Sequence, residues 1–178
     1  VGNATTGLLS NTFSHTSRLP SYASLSGGTN DNAPTAGELQ TAFATFANDE
    51  LYDVSLIPVG PANGTVAKYV VDNVAEVRKD CMVFISPELA DAQSSTPATD
   101  IKDFRTTQNI NSSFAVMDSG YKYQFDRYND VFRYVPLNAD MAGLCAATEA
   151  NRDAWFSPAG FTRGIVRNVV RLPFNPRQ

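Results

Sequence analysis

With 178 residues, 43% of them hydrophobic, the chain is long enough to bury one sizeable core without a metal or disulfide staple. Its charged fraction of 18% lies below the usual ~25%, and Asn, Ser, Thr, Ala and Gly are plentiful, which predicts a polar rather than densely ionic surface suited to contact with other protein. A formal net charge of −4 argues against a basic nucleic-acid binder, and no run of about 18 apolar residues is present to span a bilayer.

Residues 1–34 are rich in Gly, Ser, Thr and Asn and read as an irregular arm or linker, with only residues such as Leu8, Phe13 and Tyr22 to anchor it. The start carries no basic stretch followed by an apolar one, so the expectation is a soluble, non-secreted protein. The first residue is not Met, and Asn175-Pro176-Arg177-Gln178 carries no ending signal, so the chain is expected to be a piece of a longer one. From Thr35 onward the pattern changes. Thr35 and Glu38 have capping-box spacing, and Leu39, Ala42, Phe43 and Phe46 share a helical face through to about Asn48.

Tyr52–Val59 is β-branched and apolar and reads as a strand, stopped by the Gly60-Pro61-Ala62-Asn63-Gly64 turn. Val66, Tyr69, Val70, Asn73, Val74 and Val77 then recur at helical spacing up to Lys79, and Cys81–Ser86 follows as a short buried strand. Strand, crossover helix and strand make a βαβ unit with a parallel pair. A helix near Asp100–Gln108 and a strand over Ser113–Met117 extend the alternation. Tyr121–Phe125 and Val131–Val135 flank Asn129-Asp130 and predict a β-hairpin. Asn138 or Asp140 is positioned to cap a helix to about Glu149. Asn151–Gly164 is loop-like, and Ile165–Leu172 reads as a last strand. The fold class is therefore α/β, a mixed β-sheet with βαβ units and packed helices, a hairpin and an irregular N-terminal arm.

No constellation in this chain favours catalysis. The Gly60–Gly64 turn between a strand and a helix is the one place resembling a phosphate cradle, but it has neither Gly-x-x-x-x-Gly-Lys nor Gly-x-Gly-x-x-Gly spacing. His15 is the sole histidine and falls in the arm, and Ser157 in Phe-Ser-Pro-Ala-Gly lacks the first glycine of a nucleophile elbow. The carboxylate pairs Asp49/Glu50 and Asp126/Asp130 fall beside element ends, where acids cap and solvate. Cys81 and Cys145 suit two buried free thiols rather than a disulfide or zinc site. The sequons at Asn3, Asn63 and Asn111 read as chance. No catalytic, cofactor or metal residue is assigned.

Charge is unevenly spread. Residues 1–150 hold nine Lys and Arg against seventeen Asp and Glu, whereas residues 151–178 hold five Arg against one Asp. An acidic body with a basic end can dock head to tail with copies of itself. For most of these arginines, pairing with carboxylates inside one fold is the simpler reading. Arg163, Arg167 and Arg171 recur every four residues and would align on one face of a regular element. With Trp155 and Phe156, whose residue types often anchor interfaces, they are the candidate subunit-interface residues. Trp155 and Phe156 would equally serve to plug their loop onto the core.

The sequence resembles the contractile tail sheath proteins of myophages over residues 25–178. The resemblance is carried by Leu25-Ser26-Gly27-Gly28, Asp53-Val54-Ser55-Leu56, Tyr121 to Asp130, Pro136 to Leu144, Trp155 to Gly160, Arg163-Gly164 and Asn168-Val169-Val170. It implies a structural, cofactor-free subunit of the virion, assembled in the host cytoplasm, that stacks as hexameric rings and contracts. The implied partners are other copies of the chain, a tail tube protein, a baseplate and a tail terminator, with no direct nucleic acid and no membrane insertion. Family members continue past this chain's end, so residues 35–178 are read as a sheath core domain truncated on its C-terminal side. A phage-derived bacteriocin or another contractile injection system carries the same resemblance. The reading from a different class is a nucleotide- or small-ligand-binding α/β enzyme using Gly60–Gly64.

Overall fold

The computed structural model describes residues 27–28 and 33–175. The chain divides into two units, Val1–Ala33 and Pro34–Gln178. The first lies almost wholly outside the described residues, and the expected arm and His15 fall there. The second opens with α1 (Ala36–Ala44), whose capping box forms: Thr35 N donates to Glu38 Oε2 (2.7 Å) and Glu38 N donates to Thr35 Oγ1 (3.3 Å). A 3-10 turn, Thr45–Ala47, ends it.

Strand β1 (Leu56–Pro58) is shorter than the apolar run predicted, because Asn48 Oδ1 accepts from the backbone N–H groups of Glu50 and Leu51 and turns the chain before Tyr52. Pro58 cannot donate to a ladder and sits on the edge strand, where that omission costs least. Gly60 then adopts φ +72°, a conformation available mainly to glycine. Asn63 Oδ1 accepts from Val66 N and caps α2 (Gly64–Val70), which runs through a π turn (Val71–Ala75) into α3 (Glu76–Arg78). Lys79, at φ +63°, stops the helix.

Strand β2 (Met82–Ile85), helix α4 (Leu89–Ala92), helix α5 (Pro97–Thr107) and strand β3 (Ala115–Met117) complete the α/β portion. Proline at its first turn starts α5 three residues earlier than periodicity indicates. The three strands form a parallel sheet in the order β1-β2-β3, with Ile57 opposite Val83 and Phe84 opposite Val116. Side chains alternate across a sheet, so Ile57, Val83 and Ile85 face α2 and its π turn, where Val66, Val70, Val71 and Val74 are fully buried. Phe104 of α5 and Phe43 and Phe46 near α1 close this core.

The antiparallel pairing forms a separate sheet, β4 (Tyr121–Asp126) with β5 (Val131–Pro136), in the register Tyr123 opposite Tyr134. Asp126 accepts from the backbone N–H of Tyr128 and from Asn129 Nδ2, holding the turn, and Asp130 takes φ +54°. Asp126 is thus a turn residue, not half of an acid–base pair. Helix α6 (Asn138–Asn151) follows without a side-chain cap. The expected cap by Asn138 or Asp140 does not form: both lie inside the helix, which starts at Asn138, and Asp140 is paired with Lys122 while Asn138 Oδ1 has no partner among the described residues. Ile165–Leu172 is not a strand. It makes a single antiparallel bridge, Arg171 to Tyr123, because Asn168 at φ +58° turns it off the β4 edge.

Candidate assembly surface

The carboxyl ends of β1, β2 and β3 are where an open α/β sheet would take a ligand. Here the chain itself crosses that end and leaves an open cavity of about 330 Å³ beside Pro61, Asn63, Glu88 and Tyr134. Asn138 Nδ2 donates to the carbonyl of Gly60 (2.8 Å), and Asn138 N donates to Ser86 Oγ (3.2 Å). Ser86 Oγ donates to Asp118 Oδ2 (2.8 Å), and Gly120 N donates to Asp118 Oδ1 (2.7 Å). The N-terminus of α2 is already supplied with acceptors: Asn63 Oδ1 for Val66 N and Glu88 Oε1, at 3.4 Å, for Gly64 N. A phosphate would have to displace a carboxylate of the protein, which removes the physical basis for an anion cradle at Gly60–Gly64. Among the described residues no cluster of three His, Cys, Asp or Glu side chains is placed to hold a metal, and no helix is long and apolar enough to cross a membrane.

The molecule's unsatisfied surface lies at the other end of the chain. Arg163, Arg167 and Arg171 do not share a face, since no regular element carries them. Arg163 Nε donates to the carbonyl of Ser157 (2.8 Å), and its guanidinium lies 4.7 Å from the Phe156 ring centre. Arg171 covers Tyr123 at 4.5 Å and Tyr134 at 6.0 Å. Arg167 contributes its carbonyl, which accepts from Lys122 Nζ (3.2 Å). None of the ion pairs among the described residues involves Arg152, Arg163, Arg167 or Arg171, so the expected internal pairing with carboxylates does not occur. All four are exposed.

Trp155 and Phe156 take opposite sides of their loop. Phe156 is half-buried and turned inward, and Trp155, in edge contact with it at 5.6 Å, is 79% exposed. Other exposed apolar side chains that sequence patterning did not single out for contact are Phe161, fully exposed, and Ile165 in the same C-terminal stretch, with Phe125, Tyr128 and Val170 grouped at the hairpin. Exposed large apolar side chains in both places suit surfaces that another protein segment covers. Aromatic alternation in the hairpin was a visible signal, but Phe161 in a glycine-bounded loop gave none.

Between the outer face of the sheet, α6 and this loop lies a partly open cavity of about 660 Å³. Met82, Phe84 and Val116 form its floor, Leu144 and Cys145 one wall, and Phe156 and Pro158 the other. Cys81 is buried as expected, whereas Cys145 is only half-buried at this cavity, and burial raises the pKa of both thiols. A second feature missed from sequence is Lys122. Its side chain is nearly buried and its Nζ lies 2.8 Å from Asp140 Oδ1, fastening β4 to α6 and to the carbonyl of Arg167.

No family model matches the chain. It is 42% identical over 173 residues to the tail sheath protein of Enterobacteria phage T4, an alignment covering 86% of this chain and 26% of that protein. It is 36% identical over 174 residues to the tail sheath protein of Vibrio phage KVP40, covering 85% and 26% respectively. With the tail sheath protein of Salmonella phage ViI it shares 25% identity over 136 residues, 75% of this chain and 21% of that protein. The chain spans about a quarter of the length of these curated relatives.

Proposed function

The chain is homologous to a segment of the phage tail sheath proteins, and on that premise we propose that it acts within a structural subunit of a contractile tail sheath. In this reading the subunit polymerises as stacked hexameric rings around a tail tube and contracts to drive the tube through the host envelope. It belongs to the virion, assembles in the host cytoplasm, and works through contacts with other copies, the tube, the baseplate and the terminator rather than through catalysis.

The observation that carries the reading is the identity shared with the T4 and KVP40 sheath proteins across most of this chain. The surface supports it independently. Four exposed arginines without carboxylate partners among the described residues, and many exposed aromatic and aliphatic side chains, suit a protein whose neighbours complete it. At the carboxyl end of the parallel sheet the backbone N–H of Gly64 already faces Glu88 and the Gly60 carbonyl already holds Asn138, which gives less support to the nucleotide- or ligand-binding alternative.

Negative-stain electron microscopy of the full-length gene product, alone and with its tube protein, tests the proposal. Hollow striated cylinders are the expected result. Monodisperse particles under both conditions would overturn it.

A further inference from the structure

The chain contains one Asn-Gly pair, Asn63-Gly64, at the point where the Gly60–Gly64 turn enters α2. An asparagine followed by glycine is chemically labile, because no side chain on the second residue shields its backbone nitrogen from the neighbouring amide carbon. The Gly64 nitrogen gives up its proton and attacks Asn63 Cγ, the Cγ–Nδ2 bond breaks, and ammonia leaves a five-membered ring behind. Water then opens that ring at either carbonyl, giving aspartate or isoaspartate at position 63. Each residue of the pair also serves the fold. Asn63 Oδ1 caps α2 through Val66 N (3.0 Å), and a Cβ at Gly64 would lie 2.4 Å from Gln108 Cδ, so a larger residue there requires Gln108 to move. Asn63 is exposed and borders the open cavity beside Glu88, so water has access to its side chain.

We propose that Asn63 is a deamidation site gated by the first turn of α2. Ring closure needs Asn63 Cβ and the Gly64 nitrogen to eclipse each other about the Asn63 Cα–C bond, whereas the extended ψ of 167° holds them staggered. Turning that bond swings away the Asn63 carbonyl, which accepts from Ala67 N (3.0 Å), and bringing Cγ round takes Oδ1 off Val66 N. The attacking nitrogen is held as well, since Gly64 N donates to Glu88 Oε1 (3.4 Å), whose negative charge opposes loss of the proton. Val66 and Val70 of the same helix are fully buried, so its first turn opens only as α2 leaves the core. The site is silent in the folded chain and reactive once α2 opens. Aspartate at 63 keeps a capping oxygen. Isoaspartate runs the backbone through Cγ, which adds an atom between the turn and α2 and moves the carbonyl that accepts from Ala67 N onto a side branch. The same turn supplies the Gly60 carbonyl that holds Asn138 Nδ2, so its displacement also loosens α6. Deamidation thus marks, irreversibly, a chain whose α2 has opened.

The test compares full-length protein held at mildly alkaline pH, folded in buffer and unfolded in urea. Conversion at residue 63 is followed by mass spectrometry of the digested chain, with fragmentation to place the mass gain and chromatography to separate aspartate from isoaspartate. Conversion in urea about a hundredfold faster than in buffer is the expected result. In urea, where folding plays no part, Gly64→Ala should slow the reaction about tenfold, because its Cβ shields the attacking nitrogen. Equal rates in buffer and in urea would overturn the gate. A residue 63 that stays unconverted in urea, or that converts there equally fast with alanine at position 64, would overturn the site. None of these readouts involves assembly, so their failure leaves the sheath reading untouched, and the loss of that reading leaves them unchanged.

Discussion

Asp118 is the titrating residue with most at stake. Burial behind β3 pushes its carboxyl up to about 6, against the opposing pull of the hydrogen bonds from Ser86 and Gly120, and the Asp140 carboxylate adds to the rise. A carboxyl whose folded pKa is raised binds a proton that the unfolded chain has already released. Its stabilising contribution is therefore complete below the ordinary value near 4 and is lost as pH rises through about 6. Glu38, Asp80 and Asp126 shift the other way, and what they contribute is lost only as pH falls below the ordinary carboxylate range. Thermal unfolding of the wild type between about pH 4 and pH 7 should show a falling midpoint, and Asp118→Asn should flatten it, a difference of the order of 2–3 kcal/mol across the window. Parallel pH profiles for the two proteins would assign the titration elsewhere. Little of this was legible in the sequence. Asp118 follows β3 with no local pattern that marks it, and only the fold brings Ser86 to it. Asn138 itself is fully buried with Oδ1 unpartnered, while its amide nitrogen ties α6 to Gly60 across a sequence gap that no local pattern spans.

At the scale of elements, short-range chemistry was readable and long-range covering was not. The capping box at Thr35, the turn at Gly60, the helix from Gly64 and the hairpin all follow from residues within a few positions of each other, and all form, although the π turn at Val71–Ala75 shifts the buried face and leaves Val77 of the predicted period exposed. Ile165–Leu172 has strand composition but no strand, because Asn168 at φ +58° bends the segment and only Arg171, beyond the bend, meets the β4 edge at Tyr123. Lys122 shows the same limit from the other side. Alternation with Tyr121 and Tyr123 would place it in solvent, yet α6 and the carbonyl of Arg167 cover that face and leave the ammonium paired with Asp140. Breaking one side of so covered a pair strands the other charge, so Lys122→Met should destabilise the fold by about 3 kcal/mol. Pairing it with Asp140→Leu should recover part of that loss, since replacing both partners removes the stranded charge. Urea unfolding of the two single variants and the double variant measures the coupling. Additive losses would mean the clasp contributes nothing as a pair. Because the clasp also holds Arg167, the single variant should speed proteolysis near residue 167 before global unfolding.

For the whole molecule the uneven charge becomes a matter of what the arginines lack. Among the described residues no carboxylate pairs with Arg152, Arg163, Arg167 or Arg171, so there the basic end remains available beside an acidic body. The four are not equivalent as probes. Arg163 holds Phe156 and Ser157, and Arg171 covers the tyrosines of the hairpin, so reversing either would disturb local packing as well as charge. Arg167 uses only its backbone carbonyl, which a substitution preserves. Arg167→Glu in the full-length protein should therefore leave the melting temperature nearly unchanged while weakening assembly, read by sedimentation and electron microscopy. Salt supplies the matching control. Raising it from about 0.1 M to about 1 M shortens the screening length from about 10 Å to about 3 Å, which should weaken wild-type assembly and shrink the difference between wild type and variant. If assembly is instead insensitive both to Arg167→Glu and to salt, the basic end faces solvent in the polymer, and the apolar side chains around Trp155 and Phe161 must hold neighbouring subunits together without it.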